Sequence, residues 1–299
     1  MNQPFSFVEI AKATHGVKLK DPHFLMTSDG TQLAYYSFVP PTPKALLLFY
    51  HGGGIWSNKL YHYLAYNLSE HHNIAVYLAD IRGHGNSSGN RGDAPSAQRV
   101  WQDVDEMIAM VTKDHPNIPF FVGGHSSGAG LVLNHSGWKK NDAIRAYIFL
   151  APYLGPQSGT FLNKPKSARS FVKKVRTWAL VLHALSGGRL LNHMKAIFFN
   201  YPARQAHDDA RTVLAYTCAM ARATAPHTPK KLFANLAKPC AIFIGDSDEQ
   251  FSPQAVLAYE KYLMQAREKS ITHIVPNATH LSIVCDSINY VNEAIDAFI

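Results

Sequence analysis

Short, continuous apolar runs recur along the chain, and the stretches between them carry apolar residues at helical spacing. Runs of this kind are typical of strands that are buried on both faces of a parallel sheet. Helical spacing is clearest near 97–114, where Val100, Val104 and Val111 share one face. Strands are predicted at 45–50, 74–80, 120–122, 146–150, 240–244 and 271–275, and further helices around 60–68, over 253–267 and up to Ile299.

Two other strands are predicted before these runs. Residues 24–27 and 33–38 flank Asp29-Gly30, a dipeptide that favours the tight turn of an antiparallel hairpin. Strands and helices then alternate, which is typical of a mostly parallel sheet with helices on both faces. The pattern therefore predicts a doubly wound α/β fold with an antiparallel start.

The alternation is interrupted between Pro152 and Cys240. Residues 153–238 are basic and rich in helix-forming sequence, and no strand is predicted in them. We therefore predict three parts: a first part of the α/β core at 1–152, an inserted helical cap or lid at 153–238, and a second part of the core at 239–299.

The cap contains a predicted basic amphipathic helix at 168–185. Apolar residues from Phe171 to Leu185 recur there at spacings of four and three, whereas Lys and Arg residues lie largely off that stripe. Such a helix either packs over the core as a lid or lies on a membrane surface, and the two roles are compatible. The cap is thus a candidate for peripheral contact with an anionic membrane.

A Gly-x-Ser-x-Gly sequence at 124–128 follows the predicted strand that begins at Phe120. In a nucleophile elbow the serine lies in a strained turn between a strand and a helix, and small residues two positions before and after it prevent backbone clashes. Gly124 and Gly128 occupy those positions. Ser126 is therefore the candidate nucleophile, although five residues alone also fit a glycine-rich turn.

A serine hydroxyl is a poor nucleophile at neutral pH unless a histidine accepts its proton, and a carboxylate must orient that histidine. In elbow-type sites the acid and then the histidine follow later strands. The last predicted strand is followed by His280, the candidate base, and the strand before it by three acidic residues. Of these we prefer Asp248, with Asp246 as the alternative and Glu249 as the least favoured.

Acyl transfer also needs two preorganised donors for the oxyanion that forms during the reaction. The backbone N–H of Ser127, directly after the candidate nucleophile, is the first. The loop at 51–54, His-Gly-Gly-Gly, offers the second, with Gly53 preferred and Gly54 next. A glycine-rich loop can instead bind phosphate, but this one lacks the lysine and the spacing of a P-loop.

The formal net charge of +8 is concentrated in the cap. Residues 153–238 contain fourteen Lys and Arg residues against Asp208 and Asp209, a local net charge of +12, so the remaining residues carry −4. This basicity suits an anionic surface or anionic acyl substrates such as phospholipids or acyl-CoA. No nucleic-acid recognition motif accompanies it, so we expect no nucleic-acid partner.

Composition predicts a globular protein, because 299 residues with 46% hydrophobic content can bury a large core. Three cysteines, an odd number without close pairing, suit a reducing compartment, and the first residues lack the features of a signal peptide. We therefore expect a cytoplasmic protein. The remaining histidines and acids have no metal-ligand spacing, and we expect neither a metal nor a cofactor.

Two motifs carry a resemblance to a known family. Asp-x-Arg-Gly-His-Gly-x-Ser at 80–87 and Gly-His-Ser-Ser-Gly at 124–128 resemble the α/β-hydrolase superfamily in its monoacylglycerol lipase and lysophospholipase branch, a group that includes serine aminopeptidases. The three glycines after His51 depart from that branch, which often has fewer. The resemblance implies Ser126 as nucleophile, Asp248 as acid, His280 as base, and Gly53 and Ser127 as oxyanion donors.

The same resemblance implies a serine hydrolase that cleaves carboxylic esters of lipid-like substrates, of the monoacylglycerol or lysophospholipid type, through an acyl-enzyme intermediate. Acyl thioesterases, acyltransferases and aminopeptidases use the same triad. An aminopeptidase needs an acidic group for the substrate's amino terminus, and the cap offers only Asp208 and Asp209, both near Arg211. A non-catalytic binding module usually lacks a triad member, and this chain has all three candidates. Acyl length, head group and oligomeric state stay open.

Overall fold

The computed structural model describes residues 14–162, 171–201 and 210–299. The strands in these ranges are β1 (His23–Met26), β2 (Gln32–Phe38), β3 (Ala45–Tyr50), β4 (Ile74–Ala79), β5 (Phe120–His125), β6 (Ile144–Leu150), β7 (Val172–Val175), β8 (Lys195–Phe199), β9 (Ala215–Thr217), β10 (Cys240–Gly245) and β11 (Ile271–Val275). The helices are α1 (Lys59–His72), α2 (Ala97–Asp114), α3 (Ser127–Trp138), α4 (Thr177–Leu185), α5 (Cys218–Thr224), α6 (Pro229–Ala234), α7 (Pro253–Leu257), α8 (Ile283–Asp286) and α9 (Ile288–Phe298).

An eight-stranded sheet forms the centre of the molecule, with the order β1-β2-β4-β3-β5-β6-β10-β11. The hairpin of β1 and β2 is antiparallel, as is the pairing of β2 with β4, and every other neighbouring pair in this sheet is parallel. The predicted hairpin and the mostly parallel α/β sheet are therefore confirmed. Parallel strands place their carboxyl ends along one edge, where open α/β sheets bind ligands.

The central strands are buried on both faces, as their unbroken apolar runs predict. Every residue of β3, β4 and β5 is buried. Leu46 and Leu48 of β3 join a core cluster with residues of α2 and α3, whereas Leu47 and Phe49 join a second cluster with residues of α1 and α9. The alternation of side chains along a strand thus divides the core into two layers, one on each face of the sheet.

The cap contains strands, so the prediction of a purely helical insertion is wrong. β7, β8 and β9 form a separate three-stranded antiparallel sheet. Val172 pairs with Phe199, and Ile197 pairs with Tyr216, partners that are distant in sequence. Strand formation depends on such partners more than on local propensity, so the spacing of apolar residues did not reveal it. The division of the chain at 152 and 238 stays a prediction.

The prediction of a helix at 168–185 is also wrong for the first half of that range. Residues 168–170 lie outside the described ranges, β7 occupies Val172–Val175, and α4 begins only at Thr177. Phe171 and Val175 have helical spacing, but the backbone of β7 pairs with β8 instead. The basic stretch before α4 therefore belongs to a strand.

The helix predicted over 253–267 is broken. α7 ends at Leu257, and a 3₁₀ helix follows at Ala258–Tyr262, with a second at Arg267–Lys269. Tyr259 is buried in the tighter turn, where its Oη donates to the Ser158 carbonyl at 2.8 Å and its ring packs against Phe233. These contacts with distant residues accompany the change from α to 3₁₀ geometry.

Candidate active site

Ser126 lies in a sharp turn between β5 and α3. Its backbone has φ +52° and ψ −115°, a conformation that residues other than glycine rarely adopt. The two flanking positions need glycine because other backbone atoms lie very close to them. A Cβ on Gly124 would overlap the backbone of Gly128, and a Cβ on Gly128 would overlap the carbonyl oxygens of Tyr50 and His51. The geometry is that of a nucleophile elbow.

The structure brings Ser126, His280 and Asp248 together in one hydrogen-bonded array. His280 Nε2 lies 3.0 Å from Ser126 Oγ, and His280 Nδ1 lies 2.8 Å from Asp248 Oδ2. Because a carboxylate only accepts hydrogen bonds, Nδ1 carries the proton and Nε2 is free to accept one from the hydroxyl. Both the imidazole and the carboxylate are buried. The arrangement can activate the hydroxyl for attack on a carbonyl.

Asp248 is held in its charged form. Burial raises the pKa of its carboxyl, but the charge of His280, the hydrogen bond to it, and backbone N–H donors outweigh that effect and leave the pKa below its usual value. Those backbone donors are Phe251, at 2.8 Å from Oδ1, and Gln250, at 2.7 Å. Asp248 therefore stays an acceptor for His280 throughout the neutral pH range.

The other two acidic candidates have different surroundings. Asp246 is exposed, and its carboxylate accepts a hydrogen bond from the hydroxyl of Ser247. Glu249, the least favoured candidate, contacts the array through the backbone: its Oε2 accepts from the N–H of His280 at 2.9 Å. Glu249 thus helps to position the loop that carries His280. In the sequence, only the position of Glu249 next to Asp248 pointed to a role in the site, and that position did not predict the hydrogen bond with His280.

The oxyanion loop, residues 51–54, leaves one backbone donor unused. The N–H of Gly52 donates to Tyr61 Oη at 2.8 Å, and the N–H of Gly54 donates to Tyr216 Oη at 2.9 Å. The N–H of Gly53 makes no hydrogen bond with any residue in the described ranges. Gly54, the second choice from sequence, is thus occupied, whereas Gly53 remains available to an oxyanion.

The second donor lies beside the first. Ser127 is the first residue of α3, and its N–H has no acceptor within the helix. A Cβ on Gly53 would lie 2.7 Å from Ser127 Oγ, so the two residues are in close contact and Gly53 has no room for a side chain. The two predicted donors therefore belong to residues that are in contact with each other, next to Ser126.

Three further hydrogen bonds, two of them from the cap, hold the oxyanion loop. His51 Nδ1 donates to the Gly52 carbonyl at 2.8 Å, which orients the peptide whose N–H belongs to Gly53. From the cap, Tyr201 Oη donates to the Gly53 carbonyl at 2.6 Å, and the N–H of Val213 donates to the Gly54 carbonyl at 2.8 Å. The cap is therefore hydrogen-bonded directly to the loop that presents the donor.

A buried chain of hydrogen bonds connects this loop to the base. Tyr61 Oη, which accepts from Gly52, lies 2.9 Å from His125 Nδ1 and donates to it. His125 Nε2 donates to the carbonyl of His280 at 2.8 Å. Burial lowers the pKa of His125 to about 3, with the nearby His280 adding to the effect, so the ring is neutral and these roles are compatible.

The motif at 80–87 supports the site indirectly, through hydrogen bonds to residues around it. Asp80 accepts backbone N–H bonds from Ser57 at 2.8 Å and Asn86 at 2.9 Å. His84 Nε2 lies 2.8 Å from Tyr216 Oη and accepts a hydrogen bond from it, because the His84 Nδ1 donates to the Arg82 carbonyl. Burial lowers the pKa of His84 to about 3, so the ring is neutral. This motif thus orients Tyr216, the acceptor for Gly54.

A cavity of about 850 Å³ opens at the array. Ser126, Ser127 and His280 lie in its wall together with Tyr153, Phe251 and mainly apolar residues of the cap. Its size and mainly apolar lining are typical of a pocket for a small molecule. The sequence predicted a lid, but it did not reveal which cap residues line this cavity.

Among the described residues, no group of three or more His, Cys, Asp and Glu side chains is arranged to hold a metal ion. No helix within residues 14–162, 171–201 and 210–299 is long and apolar enough to cross a bilayer.

The fold and the elbow define an α/β-hydrolase. The sequence profile of the family described as serine aminopeptidase, S33, matches residues 41–284. The chain belongs to this family, and the resemblance inferred from the motifs at 80–87 and 124–128 is confirmed.

Several relatives are monoglyceride lipases. The human monoglyceride lipase is 31% identical over 169 residues, which are 56% of this chain and 52% of that protein. The monoacylglycerol lipase of Mycolicibacterium smegmatis is 29% identical over 141 residues, which are 47% of this chain and 49% of that protein. These matches span about half the length of each relative.

A solved structure covers nearly the whole chain. The soluble variant of monoglyceride lipase from Saccharomyces cerevisiae, in complex with a substrate analogue, has a TM-score of 0.70 at 18% identity and covers 95% of this chain and 97% of that one. At this level of identity the likeness shows the fold.

Proposed function

We propose that this protein is a serine hydrolase that cleaves carboxylic esters of lipid-like substrates, of the monoacylglycerol or lysophospholipid type, through an acyl-enzyme intermediate. The observation that carries the proposal is that Ser126 and His280, hydrogen-bonded to each other, line a large apolar cavity. The monoglyceride lipases among the relatives support ester hydrolysis as the class of reaction.

In the proposed first step, Ser126 Oγ attacks the ester carbonyl while His280 Nε2 accepts the hydroxyl proton. Asp248 stabilises the imidazolium that forms. The carbonyl oxygen becomes an oxyanion, which the N–H groups of Gly53 and Ser127 stabilise. The C–O bond to the leaving alcohol then breaks as His280 returns the proton to that oxygen. In the second step, water attacks the acyl-enzyme with the same base, which releases the carboxylic acid and restores Ser126.

An aminopeptidase activity, which the family description raises, has less support. Such a site needs an acidic side chain for the free amino terminus of the substrate. Among the described residues that line the cavity there is no Asp or Glu. Asp208 and Asp209, the acids that the sequence offered for this role, lie outside the described ranges.

A panel of p-nitrophenyl esters of increasing acyl length tests the proposal, together with monoacylglycerol, lysophospholipid, acyl-CoA and aminoacyl amide substrates. We expect kcat/KM to rise with acyl length, by up to about fourfold for each methylene buried in the cavity, since one buried CH₂ contributes about 0.8 kcal/mol. The kcat/KM for monoacylglycerol or lysophospholipid should exceed that for the aminoacyl amide. A flat dependence on acyl length, or faster cleavage of the amide, would exclude a lipid esterase.

We further propose that the cap contacts anionic membrane surfaces. Trp178, Leu182 and Leu185 lie on one face of α4 and are exposed, Leu185 by 80%. Lys173 and Lys174 of the neighbouring strand β7 are exposed as well. Apolar residues beside lysines are typical of surfaces that bind at the membrane interface.

Vesicle co-sedimentation checks this contact. We expect binding to anionic vesicles at low salt, weak binding to neutral vesicles, and loss of binding as the salt concentration rises. Replacing Lys173 and Lys174 with Gln should weaken binding by about tenfold or more, since each lysine near an anionic surface contributes about 1 kcal/mol. The matched control replaces the exposed Lys113 and Lys269, which lie outside the cap. Equal binding to neutral and anionic vesicles contradicts the proposal.

A further inference from the structure

A positively charged side chain lies in the mainly apolar wall of the cavity. Arg222, from α5, lines the cavity along with His183 and His227. None of the described residues in this wall is an Asp or a Glu that could neutralise it. Arg222 is half-buried, and a guanidinium in this wall without a counter-charge is available to pair with an anionic ligand.

The guanidinium of Arg222 has no partner within the described ranges: it makes no hydrogen bond and no ion pair with any residue there. A Cβ on Gly188 would overlap Arg222 Nη1, so the guanidinium packs directly against the backbone of the turn after α4. The five N–H donors of the side chain are therefore available to an acceptor from outside the protein.

His183 adds a second unsatisfied group at the same place. Its side chain is buried, at 3% exposure, and its Nδ1 donates to the Leu190 carbonyl at 2.8 Å. Its Nε2 is buried without a hydrogen-bond partner, 3.6 Å from the position of a Cβ on Gly188. Arg222 and His183 therefore flank one glycine, and buried polar atoms of this kind are normally satisfied.

The backbone of Arg222 lies beside the second half of α3, whereas Ser126 lies at the start of that helix. The backbone carbonyl of Arg222 accepts a hydrogen bond from Asn134 Nδ2, at 3.4 Å. Asn134 follows Ser126 by eight positions along α3, which corresponds to about 12 Å of helix. Since Arg222 and Ser126 line the same cavity, an ester at Ser126 and a group at Arg222 can belong to one substrate molecule.

We propose that Arg222 forms a subsite for an anionic group, a carboxylate or a phosphate, carried by the substrate outside the ester itself. The subsite rests on the proposed ester hydrolysis. It narrows the substrate class to esters that also carry an anionic group in another part of the molecule. A guanidinium binds carboxylate and phosphate through paired N–H donors.

The test compares two substrates of equal length, a p-nitrophenyl ester with a methyl-terminated acyl chain and one whose acyl chain ends in a carboxylate. We expect Arg222→Gln to lower kcat/KM for the carboxylate-terminated ester by about 10- to 100-fold, in line with the energy of hydrogen bonds to charged groups. The methyl-terminated ester should change little. Arg222→Lys should restore part of the loss, because it keeps the charge.

Arg189→Gln is the matched control. Arg189 follows Gly188 in the same turn and carries the same charge, but it is exposed and does not line the cavity among the described residues. We expect both esters to react with this variant as with the wild type. If Arg222→Gln changes the two esters equally, or changes neither, the subsite is excluded.

Calorimetric titration with an alkyl phosphate, an alkyl carboxylate and the alcohol of the same chain separates this inference from the proposed function. We expect the wild type to bind the anions more tightly than the alcohol, and Arg222→Gln to lose that difference. If the anions bind in this way but no ester is cleaved, the subsite stands and the hydrolase proposal fails. If neutral esters are cleaved but the wild type binds the anions no more tightly than the alcohol, the subsite proposal fails and the hydrolase proposal stands.

A lysophospholipid with a phosphate monoester head group distinguishes a head-group anion from an acyl-chain carboxylate.

Discussion

Replacing Ser126 with alanine is expected to reduce kcat for ester hydrolysis by about 10⁵-fold or more, since loss of a triad nucleophile removes the covalent route altogether. The variant lacks the oxygen that lies 3.0 Å from His280 Nε2, so the imidazole has no hydroxyl to deprotonate. Labelling of the protein by a fluorophosphonate should disappear with the activity. Intact-mass measurement after exposure to the probe gives the result directly.

Ser136→Ala provides the control for this experiment. Ser136 lies on the same helix, α3, and its hydroxyl donates only to the Leu133 carbonyl at 2.8 Å. Its removal should leave both labelling and hydrolysis intact. Continued labelling of the Ser126→Ala variant would show that another residue is the nucleophile, and absence of labelling in the folded wild type would favour a non-catalytic binding module.

Replacing Asp248 with asparagine is expected to lower kcat by about 10⁴-fold, the magnitude found when a triad acid loses its charge and the histidine adopts the wrong tautomer. The structure explains why the tautomer would change. The backbone N–H groups of Gln250 and Phe251 both donate to Oδ1, so an asparagine would place its carbonyl oxygen there and turn its NH₂ group towards His280. Nδ1 would then have to accept, and Nε2 would carry a proton and could not activate Ser126.

Asp246→Asn removes the same charge from the same loop and serves as the comparison. Because Asp246 is exposed and accepts from Ser247, its replacement should change kcat/KM by no more than about twofold. Steady-state kinetics of the two variants, with circular dichroism as a check on folding, decides between the two acids. A larger loss in Asp246→Asn than in Asp248→Asn would reverse the assignment.

The parts of the fold that the sequence predicted are those with a strong local pattern. Residues 45–50 and 74–80 are unbroken apolar runs because they are covered on both faces, and they form β3 and β4 almost as predicted. The helix near 97–114 was equally clear, since an amphipathic helix shows its buried face in its spacing. The cap was predicted less well, because β7 is stabilised by its pairing with β8, more than 20 residues away.

Within the site, the local sequence likewise did little to distinguish the three acidic candidates. All three follow β10 within a few residues, so their order along the chain favours none of them strongly. Asp248 differs in being buried, with one oxygen facing His280 and the other held by two backbone donors. Glu249 binds the backbone N–H of His280 instead. Only the path of the loop assigns these different surroundings to neighbouring residues.

The sequence by itself determined the type of sheet and the elbow at Ser126, because each depends on residues that are close in the chain. It also predicted that a serine, an acid and a histidine follow three of the strands, now β5, β10 and β11, in that order, because each lies directly after an apolar run. The tertiary structure alone decided how the oxyanion loop is held. Tyr201 and Tyr216, which bind Gly53 and Gly54, lie 148 and 162 positions further along the chain. It also decided that Arg222 lines the cavity near His183. Contacts over such distances are selected by the packing of the whole molecule, and no local pattern of residues encodes them.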